Sequence, residues 1–283
     1  GMGNMRLPSV DAKDSKAPID YPEAIKLIRR AYEEGINYFD TAYVYNDGDS
    51  EKCLGEAMKV FPRDSYYLAT KYYAAANPDI ELVFEEQLKR LRTDYIDFYL
   101  FHGMDENFIS SYTDKEKDYL GYLLKQKRGR IRYLGFSSHA APDTLTRFLD
   151  WYDGFDMALI QINYLDWTLL EAKKQYEILT SHGIPVWVME PLKGGRLSVL
   201  NREAETLLKA AVPGRSLSSW GFRFLMGLEH VQTVLSGMSS VEQLSENLKT
   251  FEKPDPLSET EQKILEKASE VFLKDLGVPC SGC

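Results

Sequence analysis

At 283 residues, 44% of them apolar, the chain can bury an ample core, as one large α/β domain or two small ones. A formal net charge of −9 opposes the broad basic face that a phosphate backbone demands, which excludes nucleic acid as an expected partner but leaves room for a local pocket holding an anionic cofactor. No apolar run approaches the ~18 residues of a membrane span, no basic-then-apolar leader opens the chain, and three cysteines are too few for a disulfide framework, so the expectation is a soluble protein of the reducing cytoplasm.

Short apolar runs rich in β-formers alternate with segments of helical period. "MGNMR" reads as a short first strand. The helical "PEAIKLIRRAYEEG" leads to a strand at "INYFD" (36–40), and "SEKCLGEAMKVF" leads to "YYLATK" (66–71). "DIELVFEEQLKRL" precedes "IDFYLFH" (96–102), and "EKDYLGYLLKQKRG" precedes "IRYLGFS" (131–137). "PDTLTRFLDWY" is followed by "MALIQIN" (157–163), "LLEAKKQYEILTSHG" by "PVWVME" (185–190), and "SLSSWGFRFLMG" by "VQTVLSG" (231–237). Pro22 and Pro142 mark helix starts, and Gly35, Gly129 and Gly183 mark helix ends. A helix begins near Val241, and a last one covers about 258 to 276. Eight β/α units predict a single-domain (β/α)₈ TIM barrel over residues 1–276. The alternative is an open doubly wound sheet, which wants fewer strands and a glycine fingerprint. "GMGNMR" lacks that fingerprint, because Arg6 stands where the third glycine belongs.

In such a barrel the site forms at the carboxyl ends of the strands. Strand two ends in Asp40 with Tyr45 five residues on, strand three ends in Lys71, and strand four ends in His102. Singly, each has a plain structural reading: a loop cap, one tyrosine among 18, a solvated strand end, a satisfied histidine. Together they make one chemistry. A phenol with a pKa near ~10 is a poor acid at neutral pH unless a cation stabilises its phenolate. Lys71 supplies that charge, and Asp40 is the counter-ion that fixes the lysine. His102 is left to orient a substrate oxygen. The quartet suits protonation of a carbonyl oxygen while a hydride reaches the carbon, which implies a nicotinamide cofactor.

"FDTAYVY" (39–45), "LATK" (68–71) and "DFYLFH" (97–102), followed by "RIRYLGFSSH", "IQINYLD", "MEPLKGGRL" and "SGMSSVEQLSENL", resemble the aldo-keto reductases over nearly the whole chain. The resemblance implies that Asp40, Tyr45, Lys71 and His102 are catalytic, with Tyr45 the general acid. It implies that Ser137, Ser138 and Gln161 contact the nicotinamide amide. Met189, Glu190, Pro191, Leu192, Gly195 and Leu197 would line the nicotinamide and pyrophosphate, and Gly237, Ser239, Ser240, Gln243 and Asn247 would hold the adenosine end. Three departures stand out. Met189 replaces the ring that usually stacks on the nicotinamide, Ser138 replaces an Asn, and "GMSSVEQL" has no Lys or Arg for the 2′-phosphate. NADP is the expected cofactor, held by Ser239 and Ser240, with NAD the second choice.

Cys280 and Cys283 form C-x-x-C after Pro279, a spacing used by zinc, redox and iron–sulfur sites. "VPCSGC", with "MEPLKGG" and "SGMSSVEQLSENL", resembles the aldo-keto reductase branch that carries a carboxyl-terminal ferredoxin-like segment. The resemblance implies that residues 277–283 begin a cysteine-containing tail continuing past the last residue, with these two thiolates the first ligands of a four-iron (4Fe-4S) cluster served by an electron carrier. Cys53 reads as packing.

The four histidines stand apart, without H-x-H, which disfavours a metal-dependent hydrolase, and "GFSSH" lacks the second glycine of a serine-hydrolase elbow. The remaining alternative is a cofactor-binding regulatory subunit with the same barrel and little turnover. The reading is thus an NADP(H)-dependent oxidoreductase acting on a small-molecule carbonyl. The substrate and the oligomeric state are not written in the sequence.

Overall fold

The computed structural model describes residues 1–11, 14 and 17–275. The strands are β1 (Met2–Gly3), β2 (Tyr38–Asp40), β3 (Tyr67–Tyr72), β4 (Ile96–Met104), β5 (Ile131–Ser138), β6 (Met157–Gln161), β7 (Val186–Met189), β8 (Val231–Val234) and β9 (Ser236–Gly237). All pair in parallel in one sheet, in the order β8-β7-β6-β5-β4-β3-β2-β1-β9. β8 and β9 are two halves of one stave, parted at Leu235, whose N–H donates to Val188 O at 2.9 Å. Gly1 N donates to Val234 O at 3.0 Å and Gly1 O accepts from Ser236 N at 3.1 Å, so the eighth stave closes onto the first. The expected (β/α)₈ barrel is the observed fold, with its last run in two pieces.

The outer layer holds α1 (Tyr21–Glu33), α2 (Asp49–Met58), α3 (Ile80–Leu91), α4 (Ile109–Tyr112), α5 (Tyr119–Gln126), α6 (Pro142–Trp151), α7 (Asp166–Leu169), α8 (Ala172–Ser181), α9 (Arg202–Ala211), α10 (Leu217–Met226), α11 (Val241–Phe251) and α12 (Glu259–Asp275). Pro22 and Pro142 sit in the first turns of α1 and α6, where a missing N–H costs nothing. The helix expected over 116–129 shrinks to α5. Asp118 turns left-handed at φ 43° and caps it by accepting from Gly121 N. The sequence reading missed α9, although Asn201 caps it by accepting from Ala204 N at 2.9 Å, and it missed the single turns α4 and α7.

Strand periodicity explains where the polar residues go. Successive side chains alternate between the barrel interior and the helical layer. Tyr38, Ala69, Phe98, Leu100, Met157 and Leu159 form one interior cluster, with Trp187 and Met189 against it. The Tyr38, Phe98 and Trp187 rings plug the lower barrel, with centroids 5.2 Å (Tyr38–Phe98) and 5.5 Å (Phe98–Trp187) apart. Two positions further along the same strands the parity places Asp40, Lys71, His102 and Gln161 above that plug, at the carboxyl-terminal mouth. The other strand face packs against the helices in the main core, which includes Phe39, Phe101, Phe136 and Ile160. A second cluster, centred on Trp220, Leu197, Leu208 and Phe272, joins α9, α10 and α12.

α2 and α3 approach so closely that a Cβ on Gly55 would lie 2.3 Å from Arg90 O. Gly55→Ala is therefore expected to destabilise the protein by about 1–3 kcal/mol, because the overlap outweighs the gain in helix propensity. The urea midpoint reads this directly. An unchanged midpoint would mean that the two helices separate without cost.

Candidate active site

Lys71 is 1% exposed and Asp40 is 3% exposed. Lys71 Nζ donates to Asp40 Oδ1 at 2.5 Å, to Thr41 O at 2.6 Å and to the Tyr45 phenol oxygen at 3.4 Å. The ammonium also lies 4.8 Å from the Tyr45 ring centroid. Tyr45 starts a short 3-10 turn whose next two residues, Asn46 and Asp47, are left-handed at φ 50° and 54°, and this turn swings the phenol over the mouth. The His102 ring meets the Tyr45 ring edge-on, with centroids 5.6 Å apart. All four expected residues converge at one mouth.

Burial pushes the Tyr45 phenol above its ordinary value, and the pull of Lys71 does not overcome it. The phenol therefore holds its proton at neutral pH, as a donor must. Burial also pushes the Asp40 carboxyl up against the opposing pull of Lys71. Burial alone would lower Lys71, but Asp40 and Tyr45 outweigh it and hold the ammonium above the usual lysine range. His102 is held well below the ordinary histidine value, first by burial and then by the Lys71 charge and His139, so it is neutral. Asp40 Oδ2 and His102 Nδ1 are buried without a protein partner.

A cleft of about 1400 Å³ opens from this mouth. Asp40, Tyr45, His102, Ser137, Met189, Glu190, Pro191, Leu192, Gly195, Gly237, Gln243 and Asn247 line it. Lys71 stands behind Asp40 and Tyr45. Ser137 Oγ accepts from Gly103 N at 2.8 Å. Ser138 is fully buried, and its Oγ accepts from Ala140 N at 3.1 Å. Leu197 packs in the Trp220 cluster. Ser239 and Ser240 lie outside the lining. Ser239 Oγ donates to Arg6 O at 2.8 Å, and Ser240 Oγ accepts from Gln243 N at 3.3 Å to cap α11. Cys53 is buried, as packing requires, and burial pushes its thiol up to about 12. Cys280 and Cys283 lie outside the described residues.

Sequence reasoning missed a second buried network. Asp166 Oδ1 accepts from Lys193 Nζ at 2.5 Å, and its Oδ2 accepts from Gln161 Nε2 at 2.7 Å and Asn163 Nδ2 at 2.6 Å. Asn163 Nδ2 also donates to Glu190 O at 3.0 Å. Lys193 and Asp166 are fully buried. They follow adjacent strands with opposite charges, which was the available signal. The network holds Gln161 and the segment after β7 in one arrangement. His139 also lines the cleft, and burial lowers its pKa.

Residues 1–270 match the family model described as the aldo/keto reductase family. A Glycine max protein named as an aldo-keto reductase is 30% identical over 209 residues, covering 68% of this chain and 58% of that one. L-galactose dehydrogenase of Arabidopsis thaliana is 28% identical over 274 residues, covering 88% and 84%. The holo form of aldo-keto reductase AKR11C1 from Bacillus halodurans superposes with a TM-score of 0.76 at 27% identity, covering 95% and 91%.

The depressed His102 pKa fixes the sign of an acid effect. Below pH ~6.5 the unfolded chain takes up a proton there that the folded protein refuses, so stability falls with acid by up to ~1.4 kcal/mol per pH unit from this residue. His102→Gln should flatten that part of the curve between about pH 6.5 and 5. Urea midpoints of both proteins across this window test it, and parallel curves would mean that His102 protonates freely in the folded state.

Proposed function

The chain belongs to the aldo/keto reductase family, and from that membership we propose that it is an NADPH-dependent carbonyl reductase in which Tyr45 is the general acid. The observation that carries the reading is the buried Lys71 ammonium, held by Asp40 and directed at the Tyr45 phenol oxygen.

The residues suit a nicotinamide dinucleotide. At about 1400 Å³ the cleft exceeds the ~300–1,000 Å³ of an ordinary ligand pocket and leaves room for a small substrate beside the dinucleotide. Glycines 3, 194, 195 and 237 line it and let a ligand approach the backbone, and a Glu190 carboxylate oxygen is buried there without a partner. On this reading Ser137, which lines the cleft, meets the carboxamide, with Gln161 just beneath it on Asp166, the 189–195 segment meets the nicotinamide and pyrophosphate, and Gly237, Gln243 and Asn247 meet the adenosine end. When bound, the cofactor supplies a hydride to the carbonyl carbon. Tyr45 gives its proton to the carbonyl oxygen as negative charge grows there. Lys71 stabilises the resulting phenolate at 3.4 Å, and Asp40 keeps Lys71 in place. His102, neutral, orients the same oxygen by a hydrogen bond. Tyr73 and Phe108, stacked edge-on at 5.2 Å, form an apolar wall beside it, and Tyr73 meets the His102 ring at 5.5 Å.

The iron–sulfur reading, with its electron carrier, rests on the Cys280 and Cys283 spacing and on the resemblance of "VPCSGC", "MEPLKGG" and "SGMSSVEQLSENL" to the branch with a ferredoxin-like segment. Iron and sulfide analysis of a chain extended past residue 283 is its separate test.

Tyr45→Phe is expected to keep NADPH affinity within a few-fold of the parent while lowering kcat/KM for carbonyl substrates by at least ~100-fold, since only the proton donor is lost. Steady-state turnover with a panel of aldehydes and ketones, alongside cofactor titration, measures both. Full activity in the variant would place the acid elsewhere, and a parent that binds cofactor without turnover would make the protein a cofactor-binding regulatory subunit.

A further inference from the structure

We propose that Arg6, from the segment just after β1, is the cation that receives the 2′-phosphate of the cofactor and sets its preference for NADPH over NADH; this rests on the reductase reading above. The loop before α11 has no Lys or Arg, and the two serines expected to take that phosphate face elsewhere. Ser239 donates its hydroxyl to Arg6 O, and Ser240 caps the helix. The charge has to come from another part of the chain.

The sheet closure brings it there. β1 pairs with β9 at Met2↔Ser236 and Gly3↔Gly237, so the residues following β1 run beside the loop that follows β9. A Cβ on Gly237 would lie 3.9 Å from Arg6 Cβ, and the Ser239 hydrogen bond ties the Arg6 backbone to the same loop. Arg6, Gly237, Gln243 and Asn247 line the cleft where the first stave meets the loop before α11, and Tyr45 and His102 line the same cleft.

Charge then makes the assignment specific. Asp40, Asp47, Asp49, Asp105, Glu190 and Glu246 line the cleft, and among its described lining residues Arg6 is the sole Lys or Arg. No ion pair among the described residues uses it. A dianionic phosphate entering this cleft meets one free guanidinium, whose planar fork matches phosphate oxygens bidentately. The part of the cleft beside Gly237 and Asn247 is where the adenosine ribose belongs if the nicotinamide lies against Tyr45. This makes Arg6 a reader of the 2′-phosphate and not of the pyrophosphate, which belongs nearer the 191–195 segment.

The test is fluorescence titration of the parent, Arg6→Gln and Arg6→Lys with NADPH, NADH and 2′,5′-ADP, with circular dichroism to confirm equal folding. Arg6→Gln should weaken NADPH and 2′,5′-ADP by about 10- to 100-fold and NADH by less than about 3-fold, and Arg6→Lys should restore part of the loss. Equal weakening of NADPH and NADH would move Arg6 to the pyrophosphate and overturn the assignment, as would no change in either. A parent that binds none of the three would overturn the reductase reading itself, which separates the two failures.

Discussion

A lysine that is 1% exposed stays charged only where a counter-ion and acceptors replace the water it has lost. Lys71 finds them in Asp40, Thr41 O and Tyr45, all contributed by β2 and the turn after it, while the lysine itself comes from β3. The pair is therefore also a statement about register. Asp40 pairs with Ala69, so Lys71 sits one interior position above the aspartate and reaches back to it. A slip of one residue would send Lys71 into the helical layer among apolar side chains and leave Asp40 as a buried charge without a partner. Breaking such a pair typically costs about 3–5 kcal/mol. The arrangement that sets Lys71 beside the phenol thus also specifies how the second and third staves meet.

The opposite side of the barrel repeats the device. Lys193 and Asp166, fully buried, join the segments after β6 and β7. Glu190 and Lys193 both hold left-handed backbone angles, φ 54° and 48°, a strain of order 1 kcal/mol or more for each side-chain-bearing residue. The Asp166 hydrogen bonds to Lys193, Gln161 and Asn163, with the Asn163 bond to Glu190 O, offset that strain and fix the segment. Two buried lysines on opposite walls thus give the cleft its shape: one beside Asp40 and Tyr45, the other within the segment after β7.

Most of this was legible because the barrel writes itself in two periods. Alternation along each strand and helical period between strands gave the fold, and residues ending the apolar runs gave Asp40, Lys71 and His102. Tyr45 required the added step of asking what a buried lysine and aspartate would act upon. The failures share a cause. Asp166 and Lys193 lie 27 residues apart, and only the pairing of β6 with β7 reveals that they meet. Arg6 entered the sequence reading as a residue that spoils a glycine fingerprint, and its place beside Gly237 appears only when the first stave closes against the last. The resemblance, with no Lys or Arg in their loop, assigns Ser239 and Ser240 to the 2′-phosphate. In the structure they satisfy a backbone carbonyl and a helix N-terminus, the more ordinary use of the same chemistry.

The net charge of −9 and the proposed anionic cofactor are compatible because binding depends on local contacts and not on the field of the whole molecule. With carboxylates around the cleft, long-range electrostatics does not draw a dinucleotide inward. On the proposed reading affinity comes from short-range contacts: glycine backbone along the walls and the single Arg6 guanidinium in the cleft lining. The reacting end works by the same economy of charge. Its cation, Lys71, is already neutralised by Asp40, so it acts on Tyr45 at hydrogen-bond range and adds little attraction for anions farther away. On the proposed reading such a mouth takes a carbonyl substrate by fit against Tyr73 and Phe108 and by hydrogen bonds to Tyr45 and His102, and the main charge recognition falls at Arg6, away from the chemistry.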